Sequence, residues 1–221
     1  LGSLTRYLAV SAKEVVAVEL DENLLPPLKA VLAPYQNVRL IHGDILKLSP
    51  NDLITERDYI VVANIPYYIT SAVIRHLLEN EPKPRRVVLT VQKEVAQRIC
   101  AQPGDLSLLA LSVQIYGKPR IVAHIPAEAF FPAPKVDSAV LCVDIYAAPL
   151  IKEELLESFF KLIKAGFSQK RKTLRNSLSS GLHISPTDAA DLLTRADIDP
   201  QRRAETLSIE EWERLSSSIV Q

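Results

Sequence analysis

The sequence predicts an α/β protein: a mostly parallel sheet with helices on both faces and an antiparallel edge, followed by a small all-helical domain. Three observations predict it. Short β-branched runs alternate with helically spaced apolar residues as far as Tyr116; two strand-like runs between Arg120 and Tyr146 have no helix between them; beyond Pro149 the pattern is helical throughout.

Val15-Val16-Ala17-Val18 is the first strand, ending at Glu19, and Asn23 to Leu32 then spaces its apolar residues as a helix does. Val38 to Ile41 is a second strand, closed by the turn pair Gly43-Asp44. Tyr59 to Ala63 is a third, stopped by Asn64-Ile65-Pro66. Ser71 to Leu78 carries Val73, Ile74, Leu77 and Leu78 on one helical face, with Thr70 or Ser71 as N-cap. Arg86 to Val91 reads as a strand, Glu94 to Ile99 and Ser107 to Tyr116 as helices. Such alternation implies βαβ crossovers and hence parallel pairing. Arg120 to His124 and Ser138 to Tyr146 are joined only by a segment rich in proline (Pro126, Pro132, Pro134), so they are expected to pair antiparallel. Ala147-Ala148-Pro149 closes a first domain, residues 1–149. Residues 150–221 form the second, with helices over Glu153 to Ala165, Thr187 to Arg195 and Ile209 to Ile219, and with Gly166, Gly181, Pro186 and Pro200 as breaks.

Composition narrows the function classes. With 221 residues, 48% of them apolar and 24% charged, the chain is long and apolar enough to bury a core. No apolar run approaches the roughly 18 residues of a membrane span, and neither a secretory leader nor a cysteine motif is present, Cys100 and Cys142 lying far apart. A cytoplasmic protein is expected. Lys+Arg 26 balance Asp+Glu 26, so whole-molecule charge makes no case for nucleic acid. Locally, however, Lys164, Lys170, Arg171, Lys172 and Arg175 follow one another with no acid among them. The chain starts Leu1-Gly2-Ser3 and contains no methionine, which predicts that an amino-terminal part precedes it.

In an open α/β sheet, ligands bind at the carboxyl ends of the strands. Three of those ends are polar: Glu19, Asp44 and Asn64. A carboxylate at Glu19 can accept both hydroxyls of a ribose, and Asp44 can accept from the exocyclic amine of adenine; the plainer reading is that such acids cap the following helix or face water. Asn64-Ile65-Pro66-Tyr67 is the sharpest signal. An amino group that is to react needs an acceptor for each of its hydrogens and a flat surface beside its ring. The Asn64 side-chain oxygen and the Ile65 carbonyl can accept, Pro66 stiffens the turn that aims them, and Tyr67 can stack. The loop Phe130-Phe131-Pro132-Ala133-Pro134 offers a second aromatic face. His42, His76, His124 and His183 lack ligand spacing, so no metal is expected, and Trp212 is expected to pack the last helix into the helical domain.

The order Glu19-Leu20-Asp21, Gly43-Asp44, Asn64 through Thr70, Gln92 through Ala96, Phe130 through Ser138, Phe167 through Asn176 and Arg203 through Leu207 resembles the small-subunit rRNA adenine N6,N6-dimethyltransferases. That resemblance implies a class I methyltransferase, Rossmann-like fold with S-adenosylmethionine as methyl donor. It also implies dimethylation of two adjacent adenines in a hairpin loop near the 3′ end of small-subunit rRNA during ribosome biogenesis. Glu19 would bind the cofactor ribose and Asp44 its adenine amine, with Gly2, Leu20, Ile45 and Asn64 completing the cofactor set. Asn64, Ile65, Pro66, Tyr67 and Phe130 would form the catalytic set, Tyr67 and Phe130 sandwiching the flipped base. Lys170, Arg171, Lys172 and Arg175 would face RNA phosphates, as cations on such a surface do. The expected partner is small-subunit rRNA or the immature small ribosomal subunit, the expected state a monomer away from any membrane. Of the family's glycine-rich loop only Gly2 is present, so weak cofactor binding is expected of residues 1–221 alone. Two alternatives remain at this point: a large-subunit rRNA adenine methyltransferase of the macrolide-resistance type, and a non-catalytic ribosome-assembly or transcription factor on the same fold.

Overall fold

Helix α1 (Ser3–Ser11) opens the chain, and the sequence pattern gave no sign of it because its apolar residues Leu4, Tyr7 and Val10 face solvent and only Ala9 is buried. Gly2 supplies the left-handed turn before it, with φ at 66°, and a Cβ there would sit 3.2 Å from Leu28 Cδ2. At the other end the Asn37 side chain donates to the carbonyls of Ala9 and Ala12, at 2.8 and 2.9 Å, which satisfies groups a helix end leaves open. The computed structural model describes residues 1–54, 56 and 58–220, which divide into two compact units, Leu1–Arg86 and Val87–Gln221.

In the first unit β1 (Val15–Glu19) is followed by α2 (Leu25–Leu32), whose opening prolines Pro26 and Pro27 occupy positions where a missing N–H costs nothing. Strand β2 (Val38–His42) pairs with β1 in parallel, Val15 opposite Val38 and Glu19 opposite His42. A single turn, α3 (Pro50–Leu53), capped by the Ser49 side chain, leads to β3 (Ile60–Asn64) and then to α4 (Thr70–Glu79). Val73, Ile74, Leu77 and Leu78 are all buried on the face of α4 that the spacing predicts. The expected N-cap is different: a 3-10 turn over Tyr67–Ile69 runs directly into α4, so Ile69 caps it and Thr70 lies inside, its hydroxyl buried.

The second unit begins with β4 (Arg86–Gln92), α5 (Lys93–Ile99) and α6 (Leu108–Gln114). Strands β5 (Gly117–Ile125) and β6 (Ser138–Ile145) pair antiparallel as expected, with a register irregularity between Ile121 and Ala123, and the strands follow the order β4-β6-β5. Leu89, Val91, Ala139 and Leu141 form the buried rows of this sheet.

Four helices follow in the same unit: α7 (Leu156–Gly166), α8 (Leu174–Leu182), α9 (Pro186–Arg195) and α10 (Ile209–Val220). Pro186 opens α9 beside a Ser185/Asp188 capping box, as a helix-start proline should. Gly166 is the last residue of α7, which ends there as the sequence predicts, whereas Gly181 lies inside α8 and is not a break. Each permits a close approach: a Cβ on Gly166 would meet the Trp212 ring at 2.6 Å, and one on Gly181 would meet Ala165 Cα at 2.6 Å. Trp212 is fully buried, tilted against Phe167 with ring centroids 6.0 Å apart, as the sequence predicts. Arg202 ties the last elements together. It pairs with both Glu211 oxygens, and donates to the Thr206 carbonyl at 2.7 Å and the Thr206 hydroxyl at 3.2 Å. The Glu205 carbonyl accepts from Gly104 N, which joins this region to the α5–α6 loop.

Candidate functional site

Parallel register fixes where the acids emerge. Because Glu19 is opposite His42, Glu19 and the Gly43-Asp44 turn leave the same end of the β1–β2 pair, and Gly43 N donates to the Glu19 carbonyl at 2.9 Å. A Cβ at position 43 would lie 2.7 Å from Leu48 Cδ1, so a larger residue there would push aside the leucine that folds over the turn. Asp44 orders its own loop: Oδ1 accepts from Leu46 N at 3.0 Å and its carbonyl accepts from Lys47 N and Leu48 N. Its Oδ2 lies 3.9 Å from Lys47 Nζ. Glu19 Oε1 accepts from Asp21 N at 2.9 Å, leaving Oε2 with no hydrogen bond among the described residues. The helices that follow are capped by Asp21 and Ser49 instead, so these acids serve their own turns with one carboxylate oxygen each, and the second oxygen of each accepts no hydrogen bond among the described residues. Leu20 is exposed and Ile45 half-buried beside them.

His42, which sequence spacing gave no ligand role, has a structural part in this corner: Nε2 lies 3.2 Å from the Leu20 carbonyl and holds the turn that follows Glu19. The signal for it exists only once the register is known.

Asn64 is the last residue of β3, exposed, and its side chain makes no hydrogen bond among the described residues. Pro66 has φ −57° and ψ 135°, and its carbonyl accepts from Ile69 N at 3.2 Å, so the Asn64-Ile65-Pro66 turn is held from its far side by the 3-10 turn that carries Tyr67. Tyr67 is half-buried and the next residue, Tyr68, almost wholly exposed. Thus Gly2, Glu19, Leu20, Asp44, Ile45 and the Asn64–Tyr67 run all belong to the first unit, while Phe130 and the basic run belong to the second.

Phe130 follows a 3-10 turn over Ala127–Ala129 and is half-buried in extended backbone. Asp137 frames its loop, a role the sequence gave no reason to assign. Its Oδ1 accepts from Ala127 N at 3.1 Å, its carbonyl accepts from Lys93 N at 3.0 Å, and its carboxylate lies 4.0 Å from Lys93 Nζ.

Lys170, Arg171 and Lys172 are exposed, and they occupy the connection between α7 and α8 rather than a helix face. Arg175 lies in the first turn of α8, half-buried, with Nε 3.3 Å from Asn176 Oδ1. The amides that open α8 are already taken, Leu174 N by the Arg202 carbonyl at 2.7 Å and Arg175 N by that of Pro200 at 3.3 Å. Anion contacts here would come from side chains. Among the described residues no group of three or more His, Cys, Asp or Glu is placed to hold a metal ion, and no helix is long and apolar enough to cross a membrane.

The sequence is 50% identical over 216 residues to a ribosomal RNA small subunit methyltransferase A from Dehalococcoides mccartyi, a match that spans 97% of this chain and 74% of that protein. Among solved structures, the 23S rRNA methyltransferase ErmE superposes with a TM-score of 0.74 at 28% identity, covering 100% of this chain and 87% of that one. A dimethyladenosine transferase from Plasmodium falciparum superposes with a TM-score of 0.81 at 24% identity over 97% of this chain and 84% of that one, a likeness of fold. A ribosomal RNA adenine dimethylase model matches residues 1–221, and the chain belongs to the ribosomal RNA adenine dimethylase family.

Proposed function

We propose that the protein transfers methyl groups from S-adenosylmethionine to N6 of two adjacent adenines in a hairpin loop near the 3′ end of small-subunit rRNA, as a step of ribosome biogenesis. The observation that carries this reading is Asn64: a hydrogen-bonding side chain at a strand end, exposed and uncommitted, in a turn stiffened by Pro66.

The residues present suit the cofactor. Its ribose hydroxyls and adenine amine are donors, and at one sheet end Glu19 Oε2 and Asp44 Oδ2 accept no hydrogen bond among the described residues, the Lys47 ammonium lying 3.9 Å from Asp44 Oδ2. When bound, the cofactor supplies an electrophilic methyl on a sulfonium. The rest is positioning. An adenine amine is a weak nucleophile because its lone pair is delocalised into the ring. Asn64 Oδ1 and the Ile65 carbonyl accept its two hydrogens, favour a tetrahedral nitrogen and turn the lone pair outward. Tyr67 offers the base a ring to stack on, as does Phe130 from its own loop. Lys170, Arg171 and Lys172 supply backbone affinity, and Arg175 adds a fourth cation, within a helical RNA-recognition region over residues 150–221 that follows a methyltransferase domain over residues 1–149. The protein acts as a monomer in the cytoplasm, on small-subunit rRNA or the immature small subunit.

Identity of 50% to a small-subunit enzyme, against 28% to the 23S enzyme, favours the small-subunit substrate. The uncommitted Asn64 favours an enzyme over a non-catalytic assembly factor, which has no need of it. Transfer of labelled methyl groups to unmodified small-subunit particles tests the reading. Incorporation at two adjacent adenines is expected; binding without incorporation would indicate the assembly factor, and labelling of large-subunit RNA the other branch.

A further inference from the structure

Phe131 is 102% exposed, more accessible than a phenylalanine in an extended reference peptide. Exposed apolar residues are common, but a fully solvated phenyl ring beside a site residue is not accounted for by packing. Here the exposure is enforced by the loop. Phe130 has φ −107° and ψ 151°, an extended conformation in which successive side chains leave on opposite sides. With Phe130 half-buried, Phe131 is turned out. The frame is stiff on both sides: Ala129 N and Phe130 N donate to the carbonyls of Pro126 and Ala127, at 3.0 and 3.2 Å, Asp137 ties Ala127 to Lys93, and Pro132 and Pro134 follow directly. Little conformational freedom remains to be lost when the ring is covered.

We propose that Phe131 is a stacking platform for the nucleotide next to the target adenine, a contact that rests on the reading of this protein as an rRNA adenine methyltransferase. A strand that gives up one base to a pocket leaves its neighbour without a stacking partner, and in a substrate with two adjacent adenines that neighbour is the other target. A flat, preorganised apolar ring directly after Phe130 in the chain replaces the lost stack. Lys135, exposed in the same loop, and Lys93 at its base can hold the flanking phosphates. The loop exposes Pro132, Ala133 and Val136 as well as Glu128, Lys135 and Asp137, a mixed surface in which Phe131 is the one exposed aromatic ring, which suits a base flanked by phosphates.

The test uses an unmodified rRNA hairpin with 2-aminopurine in place of the adenine adjacent to the target, titrated with the wild-type protein and with Phe131→Ala, Phe131→Leu and Phe131→Tyr. Stacking is expected to quench the probe with wild type and Phe131→Tyr. Ala and Leu should lose the quench and weaken binding by about 5- to 100-fold. The slope of log affinity against log salt should stay the same, because no phosphate contact is removed. Because the ring is fully exposed, thermal midpoints should be equal in all four proteins. Wild-type quench and affinity in Phe131→Ala, or full affinity in Phe131→Leu, would overturn the stacking role while leaving methyl transfer by the wild type intact. Absence of methyl transfer by the wild type to unmodified small-subunit particles would overturn the functional reading itself.

Discussion

Gly181 of α8 lies so close to Ala165 of α7 that a Cβ on the glycine would sit 2.6 Å from Ala165 Cα, 2.7 Å from its Cβ and 3.1 Å from its carbonyl oxygen. Two helices can approach this closely only where one presents no side chain. The basic run Lys170-Arg171-Lys172 is the connection between these same helices, so their separation sets the span that the connection must close. Other ties fix its path: Ser168 Oγ donates to the Ala165 carbonyl at 2.6 Å, Lys172 N to that of Gln169 at 3.0 Å, and Leu174 N to that of Arg202 at 2.7 Å.

Replacing Gly181 with Val should therefore cost stability and RNA affinity together. The obstacle is backbone, which cannot rotate aside, so overpacking of about 1–3 kcal/mol is expected. The midpoint of urea unfolding reads the first effect and titration with small-subunit RNA the second. Wild-type values of both would show that the helices can separate without consequence.

Strands β1 and β3 were legible in the sequence as runs of β-branched residues and β2 by the Gly43-Asp44 turn that closes it, and their ends carried the acids and Asn64 in plain view. Helices whose apolar face is buried, such as α4 with Val73, Ile74, Leu77 and Leu78, were equally legible. Helix α8 was not. Its sequence Leu174 to Leu182 is rich in Ser, Asn and Gly, residues with poor helix propensity, and it is helical because Leu174 and Leu178 are buried and Gly181 seats against α7. The same long-range contact explains why Gly181 misread as a break. The parts of the site that sequence did not supply, His42 behind Leu20 and Asp137 beneath the Phe130 loop, act through backbone groups 22 and 10 residues away, and no local pattern marks such pairs.

Acid should expose the contribution of Glu211. The hydrogen bond from Arg202 holds its carboxyl below the usual carboxylate range, against burial that pushes it up, with Ser208 N adding to the lowering. A depressed folded pKa means stability that is present above the unfolded value of about 4.3 and is lost as pH falls through the folded value. Glu211→Gln should lower unfolding stability at neutral pH by about 2 kcal/mol. The gap between variant and wild type should close as the pH drops below 4.3, followed by urea denaturation from neutral pH downward. A gap independent of pH would mean that the carboxylate charge contributes nothing there.

Changing Lys170, Arg171 and Lys172 together to Ala should weaken binding to small-subunit particles and reduce the slope of log affinity against log salt by up to about three contacts' worth. All three are exposed outside any helix, so the fold should survive and cofactor affinity should not change. An unchanged slope would make the run a solvated surface loop.

Asn64→Ala removes one of the two acceptors proposed for the target amine while touching no other interaction, since the Asn64 side chain makes no hydrogen bond among the described residues and lies at the exposed end of β3. Stability and RNA affinity should therefore stay close to wild type, which separates this variant from Gly181→Val and from the triple basic variant. Turnover should fall by about 10² to 10³, the usual effect of losing one preorganised polar group aimed at the reacting atoms. The loss should fall on kcat, because alignment of the nitrogen lone pair matters more in the transition state than in the bound complex. Steady-state methyl transfer to unmodified particles measures both parameters. A wild-type kcat in Asn64→Ala would remove Asn64 from the reaction and leave the Ile65 carbonyl as the only acceptor the turn provides.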